Sequence, residues 1–125
     1  MISFDSFKIE DGIPIYTQIL KHIKQGIVSG TIKNNVVLPS RRVLSSLLGV
    51  NPNTIQKAYK ILEDENLIES HLGSKSFVKF NDSKLLRLRE ELLESEIIGT
   101  ISSLKNMGIN KNEYIEIIEK YWNEV

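Results

Sequence analysis

Asn53, Thr54 and Gln56 stand just ahead of Lys57 and Lys60, so amides and a hydroxyl precede two cations within two helical turns. Amide and hydroxyl groups hydrogen-bond to base edges and lysines attract phosphates, so this order suits nucleic-acid recognition. The charge around them agrees. No aspartate or glutamate occurs from Gly12 to Leu62, although the chain carries 16 acids. Seven basic residues fall in that stretch: Lys21, Lys24, Lys33, Arg41, Arg42, Lys57 and Lys60. Formal net charge is zero, so the total hides this segregation. A polyanion is drawn to such a zone, and for a small cytoplasmic protein the expected one is double-stranded DNA.

Other chemistries find little footing. There is no cysteine, hence no disulfide, zinc-thiolate site or thiol nucleophile. His22 and His71 lie far apart with no metal-ligand spacing around either, so neither metal nor cofactor is expected. Ser40 and Ser45 have no histidine near them in sequence and read as a helix cap and a helix filler. Glu63, Asp64 and Glu65 read as a solvated helix end, and Glu90, Glu91 and Glu94 as the outer face of a helix. No enzyme is expected. The longest apolar runs are too short to span a membrane, and Met1–Asp5 lacks the basic and apolar regions of a signal peptide, which points to the cytoplasm.

The elements that position these groups follow from spacing and caps. Residues 2–9 alternate loosely and suit a short strand or an ordered arm. A first helix starts near Pro14, keeps Ile15, Tyr16, Ile19, Ile23 and Ile27 at helical spacing, and closes at Gly30. Gly26 inside it, unfavourable by about 1 kcal/mol against alanine, implies close packing. Val36-Val37-Leu38 predicts a minimal strand. Ser40 caps a second helix with apolar Val43, Leu44, Leu47 and Leu48, ended by Gly49. Three residues, Gly49-Val50-Asn51, then lead to a third helix capped by Asn51, opened by Pro52 and stapled through Val50 and Ile55. Ile55, Ala58, Tyr59 and Leu62 are its core stripe. Leu67–His71 and Ser76–Phe80 predict a hairpin turning at Leu72–Lys75, the wing of a winged helix-turn-helix.

From Ser83 the composition changes. Leu85, Leu86, Leu88, Leu92, Leu93, Ile97, Ile98, Ile101 and Leu104 predict a helix of about six turns, with an apolar stripe wider than one partner helix needs. Gly108 stops it, and Asn110 with Glu113 opens a last helix bearing Tyr114, Ile117, Ile118, Tyr121 and Trp122. From Asn81 onward there are six basic and nine acidic residues, so this part does not bind DNA. The fold class is α+β, mainly helical: a winged helix-turn-helix over residues 1–80, then a two-helix dimerisation region over 81–125. The expected dimer contacts are Leu85, Leu88, Leu92, Ile97, Ile101, Leu104, Tyr114, Ile118, Tyr121 and Trp122. The aromatic residues suit an interface better than a small-molecule pocket.

Between residues 13 and 79 the chain resembles the GntR family of bacterial transcription regulators. The resemblance rests on Pro14–Ile19, Leu38-Pro39-Ser40-Arg41-Arg42-Val43-Leu44, Leu48–Ile55, Ala58–Leu62, Gly73 and Phe77-Val78, in order and spacing. The short helical tail is similar to that of the YtrA subfamily, small homodimeric regulators that often repress operons for ABC transporters. The resemblance implies that Arg42 contacts DNA backbone or a guanine, that Ser40, Asn53, Thr54, Gln56 and Lys57 lie at the major groove, and that Gly73 forms the wing tip. Arg41, Lys60 and Lys75 complete the expected DNA-binding set. Two positions depart from the family: Leu72 stands where an arginine is common, and Lys75 where a second glycine is. The chain reads as a homodimeric repressor of a small operon, binding a palindromic or near-palindromic site, with its effector undetermined. The alternative, a winged helix used only to bind proteins, would expose apolar residues on the outer face of the third helix, and this one does not.

Overall fold

The computed structural model describes residues 2–71 and 75–125. The predicted hairpin tip, Leu72-Gly73-Ser74, lies outside the described residues. The elements run α1 (Ile15–Ser29), α2 (Arg41–Leu48), α3 (Pro52–Asp64), β1 (Ile68–Ser70), β2 (Ser76–Val78), α4 (Asp82–Asn106) and α5 (Lys111–Tyr121). This is a winged helix-turn-helix followed by two helices. The chain forms two compact units, one ending at Leu88 and one running from Arg89 to Val125, so the division falls inside α4 rather than at residue 80.

In the first unit, Ile19, Ile23 and Ile27 of α1 pack against Ile55, Ala58, Tyr59 and Leu62 of α3, all buried. A Cβ on Gly26 would stand 2.4 Å from Ile32 Cδ1, because the chain after α1 doubles back and the Ile32 amide bonds to the Gly26 carbonyl at 2.9 Å. Residues 2–9 form the ordered arm rather than a strand. Ile2 and Phe4 are buried, Phe4 and Phe7 pack on the His22 ring, and His22 Nε2–H donates to the Ser3 carbonyl at 2.9 Å.

The caps fall where the side chains predict them. Ser40 Oγ accepts from the Val43 amide at 3.1 Å, Asn51 Oδ1 accepts from the Asn53 amide at 2.8 Å, and Pro52 opens α3. The setting of α2 differs from expectation. Val43 and Leu47 are 53% and 65% exposed, and the buried positions are Leu44 and Ser45. The reason lies in Ser45, whose hydroxyl donates to the Val50 carbonyl at 2.6 Å. That bond satisfies a carbonyl in the turn before α3 and turns the Ser45 face inward, leaving Val43 and Leu47 outside.

Asn66, at a left-handed φ of 59°, lets the Leu67 amide bond back to the Leu62 carbonyl at 2.9 Å and starts the hairpin directly after α3. The hairpin pairs Ile68 with Val78, Glu69 with Phe77 and Ser70 with Ser76. Its strands are three residues each, shorter than predicted, although the His71–Lys75 and Lys79–Leu67 backbone bonds extend the ladder by one step. The expected strand at residues 36–38 is a single bridge from Val37 to Phe77.

Helix α4 spans 25 residues, about seven turns, and begins in the first unit. Leu88 is its only buried side chain, at 5% exposure. This corrects the expectation that Leu88 serves a partner: it belongs to the protomer's own core. Asn110 and Glu113 form the predicted capping box at α5, with bonds of 3.0 and 3.5 Å. Among the described residues no helix is long and apolar enough to cross a membrane.

Candidate nucleic-acid interface

The four buried positions of α3 leave Asn53, Gln56, Lys57 and Lys60 exposed, with Thr54 half-buried. Asn53 and Gln56 stand in the first turns of the helix. There, backbone amides and short polar side chains reach furthest toward a groove. Arg42, one residue into α2, is also exposed, and among the described residues nothing pairs with it. Lys75 is exposed at the start of the returning strand. Ser40 Oγ accepts the α2 cap bond, and its hydroxyl hydrogen can still donate to a phosphate.

The cations are not equivalent. Glu63, Asp64 and Glu65, read from sequence as a solvated helix end, each take one. Arg41 Nη2 lies 3.2 Å from Glu63 Oε1, Lys60 Nζ 3.0 Å from Asp64 Oδ1, and Lys24 Nζ 2.9 Å from Glu65 Oε2. Three acids at a helix C-terminus oppose the helix dipole, and drawing cations from α1, α2 and α3 offsets that repulsion. Three of the seven basic residues in the acid-free stretch are thereby occupied. The hydrogen bond to Asp64 raises the Lys60 pKa, and both partners of this ion pair stay exposed.

Arg41 is half-buried, its side chain 32% exposed. Its guanidinium carbon sits 5.1 Å from the centroid of the Tyr59 ring, and its Nε is buried without a hydrogen-bond partner among the described residues. Tyr59 donates its hydroxyl hydrogen to the Pro39 carbonyl at 2.7 Å, and burial pushes its phenol well above the usual tyrosine range, with Arg41 pulling the other way. Lys57 remains exposed, but its ammonium rests 4.0 Å from the centroid of the Tyr16 ring on α1. Two residues that shape this face, Tyr16 and Glu63, are not assigned to it by the sequence. Tyr16 read as a core position and Glu63 as a solvated acid, and each acts through a partner remote in sequence.

A winged helix-turn-helix with polar groups on the outer turn of α3 and free cations beside it is a DNA-binding transcriptional regulator. Residues 15–78 match the family described as bacterial regulatory proteins, gntR family, and the chain belongs to that family. Within it the chain is YtrA-like. It is 36% identical over 85 residues to the HTH-type transcriptional repressor YtrA of Bacillus subtilis, a match covering 63% of this chain and 65% of YtrA. An uncharacterized HTH-type transcriptional regulator of the same organism, YhcF, is 30% identical over 108 residues, covering 86% of this chain and 89% of the relative. The structure superposes on a GntR family transcriptional regulator from Listeria monocytogenes with a TM-score of 0.79 and 33% identity, over 90% of this chain and 98% of that one. These relatives are regulators, and the chain is not an enzyme.

Proposed function

We propose that the protein acts as a homodimeric repressor in the cytoplasm, silencing a small operon such as one encoding an ABC transporter. The observation that carries the dimer is the state of the second unit. No side chain between Arg89 and Val125 is buried, yet Leu93, Ile97, Ile98, Ile101, Tyr121 and Trp122 are 40–76% exposed. Each large apolar side chain gains about 1.5–3 kcal/mol on full burial, so a surface this apolar favours a partner. The cleft between the end of α4 and α5 measures about 650 Å³ and is lined in part by Ile101, Leu104, Tyr114 and Ile118. It suits a helix of the second copy. In the dimer, each α3 offers Asn53 and Gln56 to one half-site, with Arg42, Lys57 and Lys75 on phosphates. The repressor role is supported by the likeness to YtrA.

The test joins three measurements. Selection of duplexes from a random pool by the purified protein yields a site with two half-sites spaced by about one helical turn. Light scattering at micromolar concentration gives twice the mass of the 14.3 kDa chain. Deleting the gene raises transcription of the operon that carries the selected site. A monomer, a pool without enrichment, or a transcript that falls on deletion would overturn the respective part.

A further inference from the structure

Glu63 holds together three elements through one oxygen. Its Oε1 accepts from Arg41 Nη2 on α2 at 3.2 Å and from Ser70 Oγ on β1 at 2.6 Å. Ser70 Oγ in turn lies 2.8 Å from Ser76 Oγ on β2, its partner in the hairpin register, and Ser76 is buried. Because Ser70 donates to the carboxylate, Ser76 donates to Ser70. A directed chain of hydroxyls therefore runs from the hairpin to the end of α3.

Arg41 is retained there against a cost. Its Nε is buried and unpaired, which disfavours this pose, and the Tyr59 face offers only a weaker cation–π attraction. The Glu63 carboxylate supplies the charge that balances it. Arg41 is also the immediate neighbour of Arg42, the exposed cation assigned to phosphate. Released from Glu63, it would add a second guanidinium beside the first.

We infer that Glu63 is a specificity-determining positioning residue: it withholds the Arg41 charge from DNA and, with the same oxygen, ties the hairpin to the recognition helix. Sequence-independent affinity is thereby kept low while the base-reading helix and the hairpin stay in fixed relation. The inference rests on the DNA-binding reading of this face.

The experiment compares wild type, Glu63→Gln, Arg41→Gln/Glu63→Gln and Ser70→Ala on a duplex selected by the wild-type protein and on a random duplex of equal length. Glu63→Gln is expected to bind the random duplex roughly fivefold more tightly per protomer near 0.15 M salt and to steepen the salt slope by about one unit, as one added phosphate contact requires. Its preference for the selected duplex falls. The double variant returns the slope to the wild-type value. Ser70→Ala lowers preference without changing the slope. In the DNA-free protein, the Arg41 Nε–H resonance exchanges slowly in wild type and is lost in Glu63→Gln. An unchanged slope in Glu63→Gln, a parallel loss of affinity for both duplexes, or a slope change with the Arg41 signal intact overturns the inference while the DNA-binding reading stands. Failure of the wild type to bind either duplex overturns both.

Discussion

Arg42 and Gln56 share one face but make different demands on DNA. Arg42 is a free cation near the start of α2, so Arg42→Ala should weaken selected and random duplexes by a similar factor and flatten the salt dependence. Gln56 is neutral and exposed in the early turns of α3, where an amide pairs best with adenine. Gln56→Ala should cost about 1–3 kcal/mol on the selected duplex only and relax preference at one base pair. Binding isotherms on both duplexes across a salt series distinguish the two. Tyr59 makes a different kind of prediction. Its folded pKa is raised by burial, so the neutral phenol stabilises the fold fully below the unfolded value near 10. Above that pH the unfolded chain ionises first and stability falls as pH rises. Tyr59→Phe should lose about 1–3 kcal/mol at neutral pH by stranding the Pro39 carbonyl, and denaturant titration should show a flatter decline above pH 10.

The elements separate what local chemistry specifies from what tertiary packing specifies. Ser40, Asn51, Pro52 and Asn110 act within three residues of themselves, so the starts of α2, α3 and α5 were legible in the sequence. The stripe Ile55, Ala58, Tyr59 and Leu62 was legible because 13 residues give a period room to repeat. Eight residues do not. The setting of α2 turns on the bond from Ser45 to the Val50 carbonyl, a contact that no periodicity encodes. Leu44→Ala should therefore cost about 2–5 kcal/mol, whereas Leu47→Gln should change stability by no more than about 0.5 kcal/mol, as measured by thermal or urea unfolding. Pairing of Arg41 with Glu63 was equally hidden, since 22 residues separate them. Of the site, the exposed amides of α3 could be read directly, while the fate of each cation could not.

Across the whole molecule, the second unit exposes the apolar faces of α4 and α5, and the first carries the basic face. Ile101→Glu should place a charge in the cleft that α4 and α5 form, giving a monomer by sedimentation and about a hundredfold weaker binding to a two-half-site duplex, because the second contact is no longer intramolecular. The pairing of Glu63 with Arg41 has a consequence at the scale of the chromosome. A genome presents about a million or more decoy sites, and a regulator's residence on them grows steeply with every phosphate it grips. If Glu63 withholds Arg41 as inferred above, that ion pair removes one possible grip, and fewer copies would be stranded on irrelevant sequence. A small number of molecules would then suffice to occupy a selected site, and a modest change in synthesis would change its occupancy.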